Sequence, residues 1–226
     1  MKVFILAGGF GTRLRSILKD VPKPMALYNG KPFLDLCIKS IVKTLPTAEI
    51  VLLTHYKADI IKNYYKNHEG ITIITETTPL GTGGAVKHAI NSLKMSDTER
   101  FLVVNGDTFI EPNYTLLIKS TIYDVVILSK LVNNCAKYNT FEVNKDQIVK
   151  INSKSKIHKN KFINLGCYLF KSKYFFDSKK DKFSLEEELS KSITKMKVGF
   201  FNYNGKFLDI GTPDDYKKLS KGDLNG

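Results

Sequence analysis

Alternating apolar and amphipathic stretches fill the first half of the chain. Short, almost wholly apolar runs predict buried strands at residues 2–7, 49–54, 71–75 and 101–105. Between them, apolar residues at helical spacing predict helices at residues 32–45, 57–66 and 83–93. Strands that are apolar on both faces and joined by helices form parallel sheets covered on both sides. We therefore predict an α/β fold with a doubly wound, mostly parallel sheet flanked by helices.

The pattern changes past residue 120, where strand-like runs follow one another without long helices. Such runs occupy residues 124–129, 139–144, 148–151, 162–170 and 198–203, and helices are predicted at residues 185–193 and 214–219. Strands that follow one another without a crossover helix can pair in antiparallel fashion. The second half therefore predicts a mixed continuation of the sheet with a small antiparallel lobe. No repeat or linker composition divides the 226 residues, so we expect one domain over residues 1–226.

Composition narrows the class of protein. Hydrophobic residues make up 42% and charged residues 25% of the chain, and no apolar run is long enough for a membrane span. The N-terminal apolar run is too short for a signal peptide and enters a glycine turn, so we expect a cytoplasmic protein. Three cysteines without a CxxC pair, and scattered histidines, predict free thiols and argue against a His/Cys metal site.

The formal net charge of +13 could serve nucleic acid, an acidic membrane surface or a polyphosphate substrate. Lysines are scattered through residues 145–197, which leaves open a solvated lysine-rich surface and a functional basic face. The sequence carries no recognised nucleic-acid motif. We expect neither a nucleic-acid nor a membrane partner.

A glycine-rich stretch, LAGGFGTRL, follows the first predicted strand. It is not a dinucleotide-binding G-x-G-x-x-G, because Leu14 stands at the third glycine position, and the chain has no P-loop string. Glycines after a strand can form a simple tight turn or a nest of N–H groups for an anion. Arg13 nearby and Lys23 between two prolines favour a polyphosphate site, with Lys23 on a stiff segment.

A second glycine stretch, ETTPLGTGGAVKHAI, opens a predicted helix. Thr82 could cap that helix, and the glycines could admit an anion or a flat base at the helix N-terminus. An ordinary glycine-rich turn with a normal cap explains the same string. The residues alone leave both interpretations open.

Two aspartates follow predicted strands, in FLVVNGDTFI and GKFLDIGTPDDY. Asp107 lies at the carboxyl end of its strand, where open α/β sheets bind ligands, and could instead cap a turn. Thr212 and Pro213 are typical of a helix start, which leaves Asp209 outside that cap. Carboxylates together with phosphate oxygens are the usual ligands of Mg²⁺. Asp107 and Asp209 could therefore hold one metal ion.

Taken in order, LAGGFGTRL, VPKPM, LGTGGA, NGDT and FLDIGTPDDY resemble the nucleotidyltransferases that make nucleotide-sugars from a nucleoside triphosphate and a sugar 1-phosphate. These strings lie between Leu6 and Tyr216 and so extend over almost the whole chain. The resemblance implies a Rossmann-like, GT-A-like catalytic domain, with a nucleotide-binding half over about residues 1–120 and a sugar-phosphate-binding half over about residues 121–226. GTRLRSILKDVPKPM is similar to the branch that uses GTP with mannose 1-phosphate or D-glycero-α-D-manno-heptose 1-phosphate for surface polysaccharides.

The resemblance also implies roles for individual residues. Arg13, Lys23 and Asp107 would be catalytic, and Asp107 and Asp209 would hold Mg²⁺. The nucleotide would bind at Leu6, Ala7, Gly8, Gly9, Gly11, Thr12, Arg13, Lys23, Thr77, Gly81, Thr82 and Gly106. The sugar phosphate would bind at Gly84, Asn105, Lys154, Asn164, Gly166 and Glu186. One position departs from the family's Glu-Lys-Pro string, because Ser153 precedes Lys154.

The implied partners are small molecules, namely the nucleoside triphosphate and the sugar 1-phosphate, and relatives imply a possible homo-oligomer. A phosphate monoester is already mostly ionised at neutral pH, so the reaction needs no general base. Alternatives within the class are mannose-1-phosphate guanylyltransferase and uridylyl-, thymidylyl- or cytidylyltransferases. An alternative from another class is a non-catalytic sensor of nucleotide-sugars.

Overall fold

The protein is described by a computed structural model that covers residues 1–120, 122–133, 135, 138–152, 160–176 and 178–220. Two compact units make up the chain. Unit 1 holds Met1–Pro79, Val104–Glu111 and the described part of Lys206–Gly226, and unit 2 holds Leu80–Val103 and Pro112–Gly205. The chain thus enters each unit more than once. The functional division near residue 120 stays a prediction.

The elements follow in chain order. The strands are β1 (Lys2–Leu6), β2 (Leu27–Tyr28), β3 (Lys31–Pro32), β4 (Glu49–Thr54), β5 (Ile71–Thr75), β6 (Arg100–Asn105), β7 (Thr108–Ile110), β8 (Val125–Val132), β9 (Thr140–Asn144), β10 (Gln147–Asn152), β11 (Lys161–Lys171), β12 (Val198–Asn202) and β13 (Phe207–Asp209). The helices are α1 (Phe33–Thr44), α2 (Ala58–Tyr65), α3 (Gly81–Ser92), α4 (Tyr114–Ile118), α5 (Lys173–Phe176), α6 (Leu185–Ser192) and α7 (Pro213–Ser220). Short 3-10 turns lie at Thr12–Leu14 and Lys23–Met25.

Parallel strands form the core of unit 1. β4 pairs with β1 on one side and with β5 on the other, both in parallel, so that Ile5 lies opposite Leu52 and Leu52 opposite Ile73. Helix α1 packs its apolar side inward, with Leu34 and Ile41 fully buried. The carboxyl end of β1 therefore opens directly into the glycine stretch. A separate antiparallel pair joins β7 and β13.

In unit 2 the strand pairings close on themselves. The order is β11-β8-β12-β10-β9, and β9 pairs back onto β11. The β12–β8 pair is parallel, while the other pairs of this ring are antiparallel. β6, which belongs to this unit as far as Val103, lies next to β11, where the rings of Phe101 and Phe170 stack at 6.1 Å. Unit 2 thus contains the predicted antiparallel lobe.

The predicted fold class is confirmed, namely mixed sheet flanked by helices. Most predicted strands and helices occur within one or two residues of their expected bounds. The exception is β8, which continues to Val132, three residues past its predicted end at residue 129. Helix α3 begins at Gly81 rather than at residue 83, because Gly81 and Thr82 join its first turn. Among the described residues, no helix is long and apolar enough to cross a membrane.

Candidate active site

One lysine and two carboxylates meet in unit 1. The Nζ atom of Lys23 lies 2.5 Å from Oδ2 of Asp107 and 4.0 Å from Oδ1 of Asp209. The aspartates approach one another because β7 pairs with β13, which places Thr108 opposite Asp209. In addition, the N–H of Ile210 donates to the carbonyl oxygen of Asp107 at 3.2 Å. The sheet pairing therefore fixes the carboxylates at one place.

The pKa of Asp209 reflects the burial and the charges of this cluster. Burial raises the pKa of Asp209 to about 6, and the charge of Asp107 adds to that rise. Lys23 and Arg13 lower the same pKa by smaller amounts. Burial and the charge of Asp107 thus outweigh the stabilisation that Lys23 and Arg13 give to the ionised form of Asp209. Such a place favours a further cation.

The glycine stretch packs against this cluster. Gly11 has a left-handed backbone (φ +57°), and a Cβ atom there would lie 3.2 Å from the Cβ of Lys23. A Cβ on Gly8 would lie 3.0 Å from the backbone nitrogen of His55. A Cβ on Gly106 would lie 2.9 Å from the carbonyl oxygen of Leu6. The glycines therefore let the ends of the strands and Lys23 approach one another closely.

Lys23 lies on a constrained segment, as predicted. Pro22 has an extended backbone (φ −69°), and the 3-10 turn Lys23–Met25 follows it. The N–H of Met25 donates to the carbonyl oxygen of Pro22 at 2.8 Å. The backbone of this segment therefore holds Lys23 in position beside the glycine stretch, with its ammonium group on Asp107.

The donor set fits Mg²⁺. This ion is usually held by one or two carboxylates, with the remaining positions taken by water and substrate phosphates. Asp107 and Asp209 supply such a pair. Within the described residues there is no group of three or more His, Cys, Asp or Glu side chains that could hold a metal by itself. The pair suits a metal ion that arrives with a phosphate ligand.

A polar cluster in unit 2 centres on Glu186. Its Oε2 accepts hydrogen bonds from the hydroxyls of Thr82 and Ser184, both at 3.0 Å, and its Oε1 accepts from Tyr168 at 3.3 Å. The Tyr168 hydroxyl in turn accepts from Nδ2 of Asn164 at 2.7 Å. We name these side chains, with Asn164, the Glu186 cluster. Sequence analysis missed Tyr168, because an apolar strand pattern gives no sign that a buried tyrosine bridges two polar residues.

The backbone of Gly166 completes the cluster. Gly166 has a left-handed backbone (φ +68°), and its N–H donates to Oδ1 of Asn164 at 2.8 Å. The amide of Asn164 is thereby oriented from both ends, since Oδ1 accepts from Gly166 and Nδ2 donates to Tyr168. The resemblance assigned Asn164 and Glu186, 22 positions apart, to one site, and the Tyr168 hydroxyl joins them.

The glycines that begin α3 have a structural reason. A Cβ on Gly81 would lie 2.6 Å from the carbonyl oxygen of Phe183, and one on Gly84 would lie 2.3 Å from that of Asp181. A Cβ on Gly83 would meet the ring of Phe183 at 2.1 Å. These positions are small because residues 181–183 pack against the helix.

The cap expected from Thr82 is wrong. The N-cap of α3 is Leu80, without a side-chain cap bond, and Thr82 lies inside the helix. Its hydroxyl instead accepts from the N–H of Leu185 at 2.8 Å and donates to Glu186. By contrast, the cap predicted for α7 is confirmed, since the Thr212 hydroxyl accepts from the N–H of Asp215 at 3.2 Å.

The predicted site residues fall into the two units. Unit 1 holds Leu6, Ala7, Gly8, Gly9, Gly11, Thr12, Arg13, Lys23, Thr77, Asn105, Gly106, Asp107 and Asp209. Unit 2 holds Gly81, Thr82, Gly84, Asn164, Gly166 and Glu186. Lys154 and its neighbour Ser153 lie outside the described residues. The individual binding roles of all these residues stay predictions.

Comparison with known proteins places this geometry in a family. Residues 2–226 match the family described as Nucleotidyl transferase. A protein of Campylobacter jejuni named D-glycero-alpha-D-manno-heptose 1-phosphate guanylyltransferase is 39% identical over 221 residues, 96% of this chain and 97% of that protein. A protein of the same name from Aneurinibacillus thermoaerophilus is 33% identical over 229 residues, 98% of this chain and 97% of that protein.

A solved structure is similar to this chain over nearly its whole length. The crystal structure of HddC from Yersinia pseudotuberculosis, complexed with GMP-PN, superposes with a TM-score of 0.83 at 34% identity and covers 98% of each chain. The inositol-1-phosphate CTP transferase of T. maritima shares the fold alone, with a TM-score of 0.78 and 22% identity. With its match over nearly the whole length, this chain belongs to the Nucleotidyl transferase family of enzymes.

Proposed function

We propose that the protein is a sugar-1-phosphate guanylyltransferase that transfers GMP from GTP to D-glycero-α-D-manno-heptose 1-phosphate and releases pyrophosphate. The observation that carries the proposal is the contact of Lys23 with Asp107 and Asp209 beside the glycine stretch. Two relatives that carry this activity in their names match 96% and 98% of the chain, which supports the choice of substrates. The product would serve as a precursor of a surface polysaccharide.

In the proposed reaction, a phosphate oxygen of the sugar 1-phosphate forms a bond to the α-phosphorus of GTP. The bond from that phosphorus to the bridging oxygen of the β-phosphate breaks, and pyrophosphate leaves with the electron pair. A phosphate monoester has a second pKa of about 6, so the attacking oxygen is already mostly ionised at neutral pH. The main obstacle is the repulsion between anions, which cationic groups and fixed N–H donors relieve.

The residues of unit 1 supply those groups in the proposal. Lys23 and Arg13 neutralise charge on the triphosphate and on the leaving pyrophosphate. The backbone of the glycine stretch, at Gly8, Gly9 and Gly11, offers N–H groups to phosphate oxygens. Asp107 and Asp209 would hold Mg²⁺, which when bound supplies further positive charge to the phosphates. In this proposal, catalysis rests on positioning and charge stabilisation, without a general base.

The Glu186 cluster supports a sugar-phosphate site in unit 2. A sugar presents several hydroxyls, and Glu186 and Asn164 offer an acceptor and an amide in a fixed arrangement. Gly84 and Gly166 belong to the same proposed set in unit 2. Asn105, which lies in unit 1, and Lys154, which lies outside the described residues, stay predictions from the resemblance. All substrates are small molecules, so the proposal needs neither nucleic acid nor a membrane. We propose, further, that the reaction takes place in the cytoplasm.

Mannose 1-phosphate is a second candidate substrate. A rice protein named probable mannose-1-phosphate guanylyltransferase 1 is 32% identical and covers 96% of this chain, although this chain covers only 63% of that protein. The two heptose relatives match in length as well as in sequence, which favours heptose 1-phosphate.

The test is release of pyrophosphate with Mg²⁺, with GTP, UTP, dTTP and CTP each combined with heptose, mannose and glucose 1-phosphates. We expect turnover with GTP and heptose 1-phosphate, at least tenfold faster than with any other pair, a difference of about 1.4 kcal/mol. Turnover with a different pair would keep the reaction and overturn the substrates. No turnover in any combination, from folded protein that binds a nucleotide, would favour a sensor and overturn the proposal.

A further inference from the structure

Residues 178–186 run along the start of helix α3, and we name this segment the α3 strap. Its first part is held by one ammonium group, since Nζ of Lys87 donates to the carbonyl oxygens of Ser178 at 3.1 Å and Lys180 at 3.0 Å. The same nitrogen donates to Oδ1 of Asp181 at 2.7 Å. The three N–H bonds of an ammonium group match these three acceptors. Lys87 is therefore bound to the strap rather than to solvent.

The middle of the α3 strap contacts the helix backbone. The N–H of Phe183 donates to the carbonyl oxygen of Leu80 at 2.9 Å, and the N–H of Gly83 donates back to the carbonyl oxygen of Phe183 at 3.0 Å. Gly84 leaves no room for a side chain, because a Cβ there would lie 2.3 Å from Asp181. The backbone of the strap is thus hydrogen-bonded to the start of α3 and packed directly against it.

The end of the α3 strap is held by the hydroxyl of Thr82. This oxygen accepts the N–H of Leu185 at 2.8 Å and donates its own proton to Oε2 of Glu186 at 3.0 Å. Ser184 donates to the same carboxylate oxygen at 3.0 Å. The Thr82 hydroxyl therefore binds the backbone at the start of α6 and is one of three hydroxyls, with those of Ser184 and Tyr168, that orient the Glu186 carboxylate.

We propose that Thr82 and Lys87 are positioning residues. They set the orientation of Glu186 for the sugar 1-phosphate and do not themselves contact that substrate. The inference rests on the proposed function, in which the Glu186 cluster belongs to the sugar-phosphate site. It reassigns Thr82, which the sequence placed among the nucleotide contacts, because both bonds of its hydroxyl go to residues of the strap.

The two assignments of Thr82 predict different kinetics. Val at this position keeps the shape of Thr but offers neither a donor nor an acceptor, so Glu186 loses one of its fixed partners and Leu185 loses its acceptor. A displaced carboxylate weakens binding of the substrate it contacts, and a misplacement of that kind can cost about tenfold or more. Only the KM for the sugar 1-phosphate should rise if Thr82 acts through Glu186.

The experiment compares Thr82→Val with Thr82→Ser, which keeps the hydroxyl. For Thr82→Val we expect the KM for the sugar 1-phosphate to rise about tenfold while the KM for the nucleoside triphosphate changes less than about twofold. Thr82→Ser should retain both values. A rise in the nucleotide KM alone, an equal rise in both, or identical behaviour of the two variants would overturn the inference.

Lys87→Met tests the other end of the strap and serves if Thr82→Val does not fold. Its matched control is Lys43→Met, which also removes one lysine charge, from a surface pair with Glu111. We expect Lys87→Met to raise the KM for the sugar 1-phosphate and Lys43→Met to change neither KM. A wild-type KM in Lys87→Met would contradict the role of Lys87.

Hydrogen exchange gives a readout that does not need turnover. Amide exchange in residues 178–187 should speed up in Thr82→Val and Lys87→Met but not in Thr82→Ser or Lys43→Met. Unchanged exchange would contradict the claim that Thr82 and Lys87 hold the strap in place. If the wild type acts on no sugar 1-phosphate, the proposed function fails and the positioning role with it. If the wild type is active and Thr82→Val keeps its sugar KM, only the inference fails.

Discussion

The ammonium group of Lys23 lies between two carboxylates, where a metal ion could also bind, 2.5 Å from Asp107 and 4.0 Å from Asp209. Its side chain is largely buried, with 13% of its surface exposed. The neighbouring Pro22 and the 3-10 turn fix its backbone. The lysine therefore offsets the charge of the carboxylates when no other cation is present, and it competes with any ion that binds the same oxygens.

Replacement of Lys23 by Met should have opposite effects on catalysis and on metal binding. Turnover should fall on the order of 10²–10³-fold, because a preorganised charge at the phosphates is lost. Affinity for Mn²⁺ without nucleotide should rise by about tenfold, since the competing ammonium is gone. Electron paramagnetic resonance of free Mn²⁺ measures the second effect independently of activity.

The control for Lys23→Met is again Lys43→Met, which makes the same change in net charge at an exposed pair. A rise in Mn²⁺ affinity shared by both variants would reflect net charge alone. Tighter binding confined to Lys23→Met supports competition at the carboxylates, and unchanged binding contradicts it.

Replacement of Asp209 by Asn should stabilise the protein at neutral pH. Burial and Asp107 raise the pKa of Asp209 from 3.8 to about 6, so folding favours the protonated carboxyl. The folded protein binds the extra proton between these values, and its stability falls as pH rises through this window. Asn removes the charge and should add about 1–2 kcal/mol to the free energy of unfolding above pH 7, discounted because 26% of the side chain is exposed.

Urea unfolding of both proteins at pH 4 and pH 7.5, without divalent metal, checks this expectation. The gain should be larger at pH 7.5 than at pH 4, where the wild-type carboxyl is largely protonated. Asp209→Asn should also lose most of the stabilisation that Mg²⁺ with nucleotide gives the wild type, because one metal ligand is gone. Equal stability of the two proteins at pH 7.5 would show that the carboxylate is not strained by burial.

Gly84→Ala should destabilise the protein even though alanine favours helices. The new Cβ would lie 2.3 Å from the carbonyl oxygen of Asp181, so the α3 strap must move. Overpacking of this kind typically lowers the free energy of unfolding by about 1–3 kcal/mol, which exceeds the stabilisation that the helix propensity of alanine provides. Gly9→Ala is the matched control, because a Cβ at Gly9 has nothing within 4 Å. Thermal unfolding that is the same in both variants would contradict the contact.

The sequence predicted local structure better than distant contacts. Strands and helices follow from residues close in the chain, and Asp107 and Asp209 were expected together because both follow strands. The partner of Thr82 could not be predicted, since Glu186 lies 104 positions away and a threonine at the start of a helix usually indicates a cap. The closure of β9 onto β11 is likewise a pairing between distant segments that no local pattern specifies.

The cysteines allow a test of core packing that needs no substrate and no metal ion. All three are free and buried, and burial raises the thiol pKa of Cys37 and Cys167. The charge of Asp107 adds to the rise at Cys37, whose sulfur donates to the carbonyl oxygen of Thr108 at 3.5 Å. Because the thiolate is the reactive form, Ellman's reagent should label the native protein at least about 100-fold more slowly than the unfolded chain. Fast labelling of Cys37 in the native protein, detected by mass spectrometry, would show that helix α1 opens beside the carboxylate cluster.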